Sequence, residues 1–217
     1  MKKVVALFIL YIISATAGYS QETFKRELAI GASLGTNFST ISFIPKVDTK
    51  MLQGYSAGIV ARWNTEKYLG LQAEVNYSQQ GWDEKFENSN HTYTHRIDYI
   101  ELPIMTHINF GSKKVRAFFN IGPKVSYVIG ENITNSLYGA EVNRENAQHG
   151  KAVELKFGWG ACGGPGVEFH TGAGIFTLEG RYYYSLGDIY NSKKEGPFPK
   201  SSGQVLSVKL AYMLPIY

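Results

Sequence analysis

Residues 68–80 read YLGLQAEVNYSQQ, an alternation in which Leu69, Leu71, Ala73, Val75 and Tyr77 share one face and Gln72, Glu74, Asn76 and Ser78 the other, because successive side chains of a strand point to opposite sides. Rows of this kind recur about eight times, and beyond residue 20 no helix-length window repeats apolar residues at i, i+3, i+4 and i+7. The chain therefore reads as all-β. A strand with one apolar and one polar face has two possible homes. In a soluble barrel the apolar face lines the interior; in a membrane barrel it meets lipid and the polar row fills the lumen.

The expected strands are 28–38, 54–63, 68–80, 97–110, 115–129, 152–169, 175–186 and 204–214. The connections between them sort by length. Asn64 to Lys67, Gly111 to Lys114 and His170 to Gly174 are tight hairpin turns, whereas 39–53, 80–95, 130–151 and 187–203 are long and rich in Asn, Ser, Gly and Lys. With an even strand count, every short turn and both termini fall at one end and every long loop at the other. A transmembrane up-and-down antiparallel barrel of about eight strands, with short periplasmic turns and four long extracellular loops, has this layout. A soluble lipocalin-like carrier, the alternative, has no reason to sort its loops.

The polar rows point the same way. They collect Arg62, Glu74, Glu101, Arg116, Lys124, Glu154, Lys156, Glu179, Arg181 and Lys209, six bases and four acids, with Gln72, Asn76, His107, Asn109 and Asn120 among them. The interior of an eight-stranded barrel is just wide enough for side chains to fill, so these charges are expected to pair across a closed lumen. On the lipid face a mid-bilayer Arg or Lys would cost about 2–4 kcal/mol each.

The first twenty residues, MKKVVALFILYIISATAGYS, combine two lysines, an apolar run from Val4 to Ile13 and a small, polar tail, the pattern of a secretory signal. The expected division is a signal at 1–20 and one barrel domain at 21–217. Without the signal, 20 basic residues stand against 18 acidic ones, a charge of +2. That near-neutral balance and the lack of a basic run with interleaved aromatics argue against nucleic acid. A single cysteine, Cys162, allows no internal disulfide.

Trp63 falls at a short-turn end, and Tyr77, Trp82, Tyr93, Tyr127 and Tyr190 fall near long-loop ends, where amphipathic rings suit a membrane interface. The chain closes on SVKLAYMLPIY, an amphipathic strand with a terminal aromatic. It resembles the C-terminal signal by which barrel-assembly machinery recognises its clients.

YIELPI at 99–104, FFNIGP at 118–123, GWGACGGPGVEF at 158–169 and RYYYSLGDIY at 181–190 resemble the PorT-like outer-membrane β-barrel family of Bacteroidota, over nearly all of residues 21–217. The resemblance implies an outer-membrane barrel. Most relatives have no assigned activity, and a few are implicated in protein secretion. Pro103 within YIELPI has no N–H for a ladder, so a bulge or kink is expected there.

Other motifs carry less. Gly158 to Gly163 matches G-x-G-x-x-G, but Gly164, Pro165 and Gly166 follow where a helix would have to open. Gly31 to Gly35 matches G-x-S-x-G inside a strand, with no strand-to-helix turn. His91 and His95 read as solvated loop residues, and two ligands do not make a metal site. No catalytic, cofactor or metal constellation is expected, and the chain reads as no enzyme. The expected partners are outer-membrane lipid and lipopolysaccharide, barrel-assembly machinery during insertion, and an unidentified extracellular or envelope protein contacted through the long loops. A narrow porin-like channel, preferring anions if open, is one alternative. A lipid-modifying barrel enzyme drawing on His107, Glu101 and Ser126 is another.

Overall fold

The computed structural model describes residues 26–84, 86, 91–136, 149–191 and 199–216; the expected signal segment lies outside them. The strands are β1 (Glu27–Ile44), β2 (Thr49–Lys50), β3 (Leu52–Asn64), β4 (Leu69–Glu84), β5 (Tyr93–Gly111), β6 (Val115–Asn135), β7 (Phe157–Thr171), β8 (Gly174–Asp188) and β9 (Lys200–Pro215). The eight long strands pair antiparallel in sequence order, and β1 pairs with β9 from Ala29↔Pro215 to Ile44↔Lys200, so the sheet closes on itself. The two-residue β2 lies against the end of β4. Among the described residues there is no helix. The fold is an up-and-down barrel with no free edge along its lower half.

The three short turns lie at one end. There Glu27 pairs with Asn64 and Ala29 with Pro215, which places the first and last strand ends beside the β3–β4 turn. The β5–β6 turn depends on Gly111, whose φ of 143° belongs to the region that favours glycine. A Cβ there would also lie 2.6 Å from the Val115 carbonyl oxygen.

The burial of β4 answers the question of which face is inside. Leu69, Leu71, Val75 and Tyr77 are exposed on the outer wall, whereas Gln72, Glu74, Asn76 and Ser78 are buried. An apolar belt runs around the outside: Tyr55 to Trp63 on β3, Leu69 to Tyr77 on β4, Ile100 to Phe110 on β5 and Leu206 to Leu214 on β9. Each stretch is nine to eleven residues long, the length a tilted strand needs to cross a hydrocarbon core.

Toward the long loops the faces exchange character. Beyond Tyr77 and Ile100 the outer wall of β4 and β5 carries Gln79, Asp83, Asp98, Arg96 and Thr94. The interior at that level is apolar, with Ile41, Phe43, Trp82, Tyr93, Ile97, Tyr99, Val128, Val153, Ile189 and Tyr190 in one buried cluster. The barrel thus has a lipid-facing lower part and a head built like a water-soluble protein. This explains why the strands outrun the expected boundaries: β1 ends at Ile44 and β6 at Asn135, where the amphipathic pattern has already inverted. β7 begins at Phe157 rather than at Ala152.

Two local expectations are corrected. Trp82, Tyr93 and Tyr190 are not interface aromatics; they are buried in the head core. Trp82 and Tyr93 continue the inward rows of β4 and β5 into water-surrounded wall, and Tyr190, just past the end of β8, turns in under the strap, its hydroxyl donating to the Lys151 carbonyl at 3.2 Å. Pro103 makes no bulge. The β4 ladder skips Leu102 and Pro103, but the register is the same on either side. A missing N–H removes a bond without requiring an extra residue. The register shift lies at Asp98/Tyr99, where β6 carries the additional residue Ile129.

Leu71→Arg on the belt is expected to cost insertion energy, between the about 0–1 kcal/mol of an interface and the about 2–4 kcal/mol of the midplane, and to lower the heat-modifiable folded fraction formed in lipid vesicles. Gln79→Arg, eight residues further along the same outward row and beyond the belt, is expected to fold like the parent.

Candidate functional site in the barrel lumen

Inward rows from adjacent strands stack side chains in tiers along the axis. At the short-turn end Arg62 pairs with Glu168, and its Nε donates to Gln72 Oε1 at 2.8 Å. Its guanidinium lies 5.3 Å from the centre of the Phe118 ring. Glu168 also faces His170 at 2.8 Å, His107 at 3.7 Å and Arg116 at 3.8 Å. The middle tier centres on Glu74. Arg181 donates to both its oxygens, at 2.9 and 2.6 Å, Lys209 donates at 2.6 Å, and Gln72 and Asn76 at 2.7 and 2.8 Å. Arg181 also holds Glu179 at 2.8 and 2.9 Å. In the third tier Lys124 pairs with Glu101 and lies 3.4 Å from the centre of the Tyr183 ring, while Gln80 donates to Glu101 at 2.5 Å.

Of the ten charges expected inside, Arg62, Glu74, Glu101, Lys124, Glu179, Arg181 and Lys209 are buried in these tiers. Arg116 sits half-buried at the short-turn rim. Glu154 and Lys156 do not belong to the lumen: both are exposed in the segment before β7 begins. They have the right parity but lie beyond the end of the strand. Glu168, fully buried and the hub of the lowest tier, was not anticipated, although it shares that even-numbered row. The glycines at 158, 160, 163, 164 and 166 obscure the alternation leading to it. With these changes four cations (Arg62, Lys124, Arg181, Lys209) face four anions (Glu74, Glu101, Glu168, Glu179), so the tiers balance.

The head closes the barrel above the charges. Phe43 packs edge-on to Trp82 at 5.2 Å, and Trp82 lies 4.5 Å from the His95 ring. The segment 149–156 runs across the mouth as a strap. Its Val153 enters the core, and His149 meets Glu84 at 2.6 Å. Glu131 accepts from the Val153 N–H at 3.0 Å and faces His95 at 3.1 Å. Two small interior cavities have room for about one or two waters each: one of about 30 Å³ lies between the head and the upper charge tier, and one of about 20 Å³ lies between the middle and upper charge tiers.

The structure does not bring His107, Glu101 and Ser126 together. Glu101 and Ser126 are cross-strand neighbours, but Glu101 is taken by Lys124 and Gln80. His107 is six residues along β5, about 20 Å of strand, and its Nδ1 meets Asn120 Oδ1 at 2.8 Å. Cys162 is buried beside Met105, Tyr183 and Val205. His95 is no solvated loop residue; it is fully buried against Trp82. Among the described residues no group of three or more His, Cys, Asp or Glu is placed to hold a metal ion.

Glu74→Leu leaves Lys209 without its carboxylate, and Arg181→Leu leaves two carboxylates short of a cation. Each is expected to lower stability by about 3–5 kcal/mol, read as an earlier loss of the unboiled gel form on heating. Glu154→Leu and Lys156→Leu should melt with the parent. In the head, burial pushes the His95 imidazole below its ordinary value against the opposing pull of Glu131. A base held low in the folded state binds its proton more readily when unfolded. Stability is therefore complete above the unfolded value of about 6.5 and falls as pH drops below it. His95→Gln is expected to flatten that part of a melting-versus-pH curve.

Comparisons with known proteins agree with this geometry. A search of curated protein sequences finds no match. Among solved structures, the outer membrane protein OprG of Pseudomonas aeruginosa superposes with a TM-score of 0.55 at 11% identity, over 88% of this chain and 96% of OprG. Ail, the attachment invasion locus protein of Yersinia pestis, gives 0.43 at 13% identity over 87% and 99%. The outer membrane enzyme PagL gives 0.42 at 14% identity over 85% and 99%. At 11% identity the likeness to OprG is one of fold. The outer membrane protein beta-barrel domain model matches residues 19–191, most of the chain, and with the inside-out wall it supports an outer-membrane location: the chain belongs to the outer membrane protein beta-barrel domain family.

Proposed function

We propose that this protein is a closed outer-membrane barrel that conducts nothing and catalyses nothing, and that it anchors a water-exposed head through which it contacts another protein of the envelope or the cell exterior. One observation carries this reading: the lumen is occupied along its length, by paired charges within the lipid-facing part and by an apolar core under the strap above it. Anions gain no net field from tiers that balance. The layout of turns supports an orientation with the short turns in the periplasm and the head outside. In this reading residues 1–20 direct export, barrel-assembly machinery inserts the chain, and outer-membrane lipid and lipopolysaccharide surround the belt. The likeness of YIELPI, FFNIGP and the glycine-rich run to PorT-like proteins of Bacteroidota supports a role among envelope proteins linked to secretion.

The test is electrical. Purified protein inserted in a planar bilayer is expected to give no unitary conductance steps. A reproducible single-channel current would overturn the closed-lumen reading in favour of a pore.

A further inference from the structure

Among the described residues, the barrel wall lacks a strand beside the end of β6 in the head. β6 runs to Asn135, but its partner β7 begins only at Phe157, opposite Tyr127. One more backbone bond, from the Val128 N–H to the Lys156 carbonyl at 2.8 Å, continues that pairing. Above it the strap leaves the line of β7. Its backbone turns instead to the end of β8, with the Glu154 and Leu155 N–H groups both donating to the Ile189 carbonyl, at 3.1 and 3.0 Å. Its Val153 N–H goes to the side chain of Glu131, not to the β6 backbone.

The other side of β6 is paired with β5. Thr94 stands opposite Thr134, Arg96 opposite Asn132 and Asp98 opposite Gly130, and the Ser136 N–H donates to the Thr92 carbonyl at 2.9 Å. An antiparallel ladder exchanges its bonds at alternate pairs. Since Ser136 bonds toward β5, so do Thr134, Asn132 and Gly130. The N–H and C=O groups of Glu131, Ile133 and Asn135 therefore point the opposite way, into the place β7 has vacated, and among the described residues no backbone group meets them.

Edges of this kind are normally blunted with lysine, proline or a covering segment. Residues 130–135 read GENITN, with neither lysine nor proline. The one charge, Glu131, is turned toward His95 and Val153. Asn132 and Thr134 stand exposed on the outer face, and Ile133 packs against the head core. Donors and acceptors recurring every second residue match the backbone of an extended peptide; a sugar or a lipid does not repeat at that spacing.

We propose that the β6 edge from Glu131 to Asn135 is a docking site for an extended segment of another protein, which adds a strand above β7 and completes the wall of the head. The segment would alternate, with apolar side chains turned in beside Ile133 and polar ones turned out beside Asn132 and Thr134. This deepens the reading of the head as a contact surface, and rests on it for access from water.

Residue-resolved amide exchange by NMR, on the full barrel in detergent micelles, tests it. In the free protein the amides of Glu131, Ile133 and Asn135 are expected to exchange fast while those of Asn132 and Thr134 are slow. A short synthetic peptide of alternating valine and threonine, added to saturation, should slow the three fast amides by about tenfold or more. The same peptide N-methylated at alternate residues should not. Slow exchange of the three in the free monomer would mean that the chain covers its own edge, and slow exchange only in a dimer that a second copy does; either overturns the proposal. So does peptide that leaves the three amides fast, or equal slowing by the N-methylated form. A conducting barrel with the expected exchange pattern would instead refute the closed-lumen reading alone.

Discussion

The structure depends on a change of solvent along the barrel axis. Around the lower wall the surroundings are lipid, which accepts Leu71, Ile104, Phe119 and Leu210 on the outside and leaves polar side chains only the lumen. Around the upper wall they are water, and the ordinary rule returns, with Trp82, Ile97 and Phe43 inside and Asp83, Arg96 and Asp98 outside. One closed sheet serves both regimes because a strand offers two independent faces. A barrel is the form that lets it do so without an unpaired backbone in lipid. The open edge of β6 above Val128 falls in the part that water surrounds.

The lumen follows from the same constraint. Eight strands leave too little width for a water column around isolated charges, so each charge is held by direct partners. Glu74 accepts from four side chains, and Arg181 grips two carboxylates. A buried ion pair is weak evidence for stability against an apolar alternative, but removing one partner is severe. Here the apolar alternative would leave both faces of the lower strands apolar and the register weakly determined, because a one-residue slip would no longer move charges into lipid. The tiers thus specify which face is inside as much as they stabilise it.

How much of this was readable from the residues follows the same boundary. Within the belt, alternation identifies the strands, their facing and seven of the buried charges, and the lengths of the connections identify the two ends. Above the belt the reading fails at particular residues. Tyr93 lies on the odd-numbered inward row of β5 with Glu101 and His107, so its parity places it inside; its aromatic character near a loop suggested an interface instead. Trp82 misleads in the same way on the even-numbered row of β4. Glu154 and Lys156 have inward parity but no strand beneath them, because β7 starts at Phe157. Where a strand stops depends on pairing across 20 to 30 residues of chain, which local pattern does not carry.

The three tryptophans allow a direct measurement of the inversion. Trp63 and Trp159 are exposed on the outer wall and Trp82 is fully buried in the head. In single-tryptophan variants reconstituted with brominated lipid, Trp63 and Trp159 should be strongly quenched, while Trp82 should be reached neither by the lipid bromines nor by aqueous acrylamide. Quenching of Trp82 by lipid, or shielding of Trp63 and Trp159 from it, would contradict a barrel whose faces exchange character at the membrane boundary.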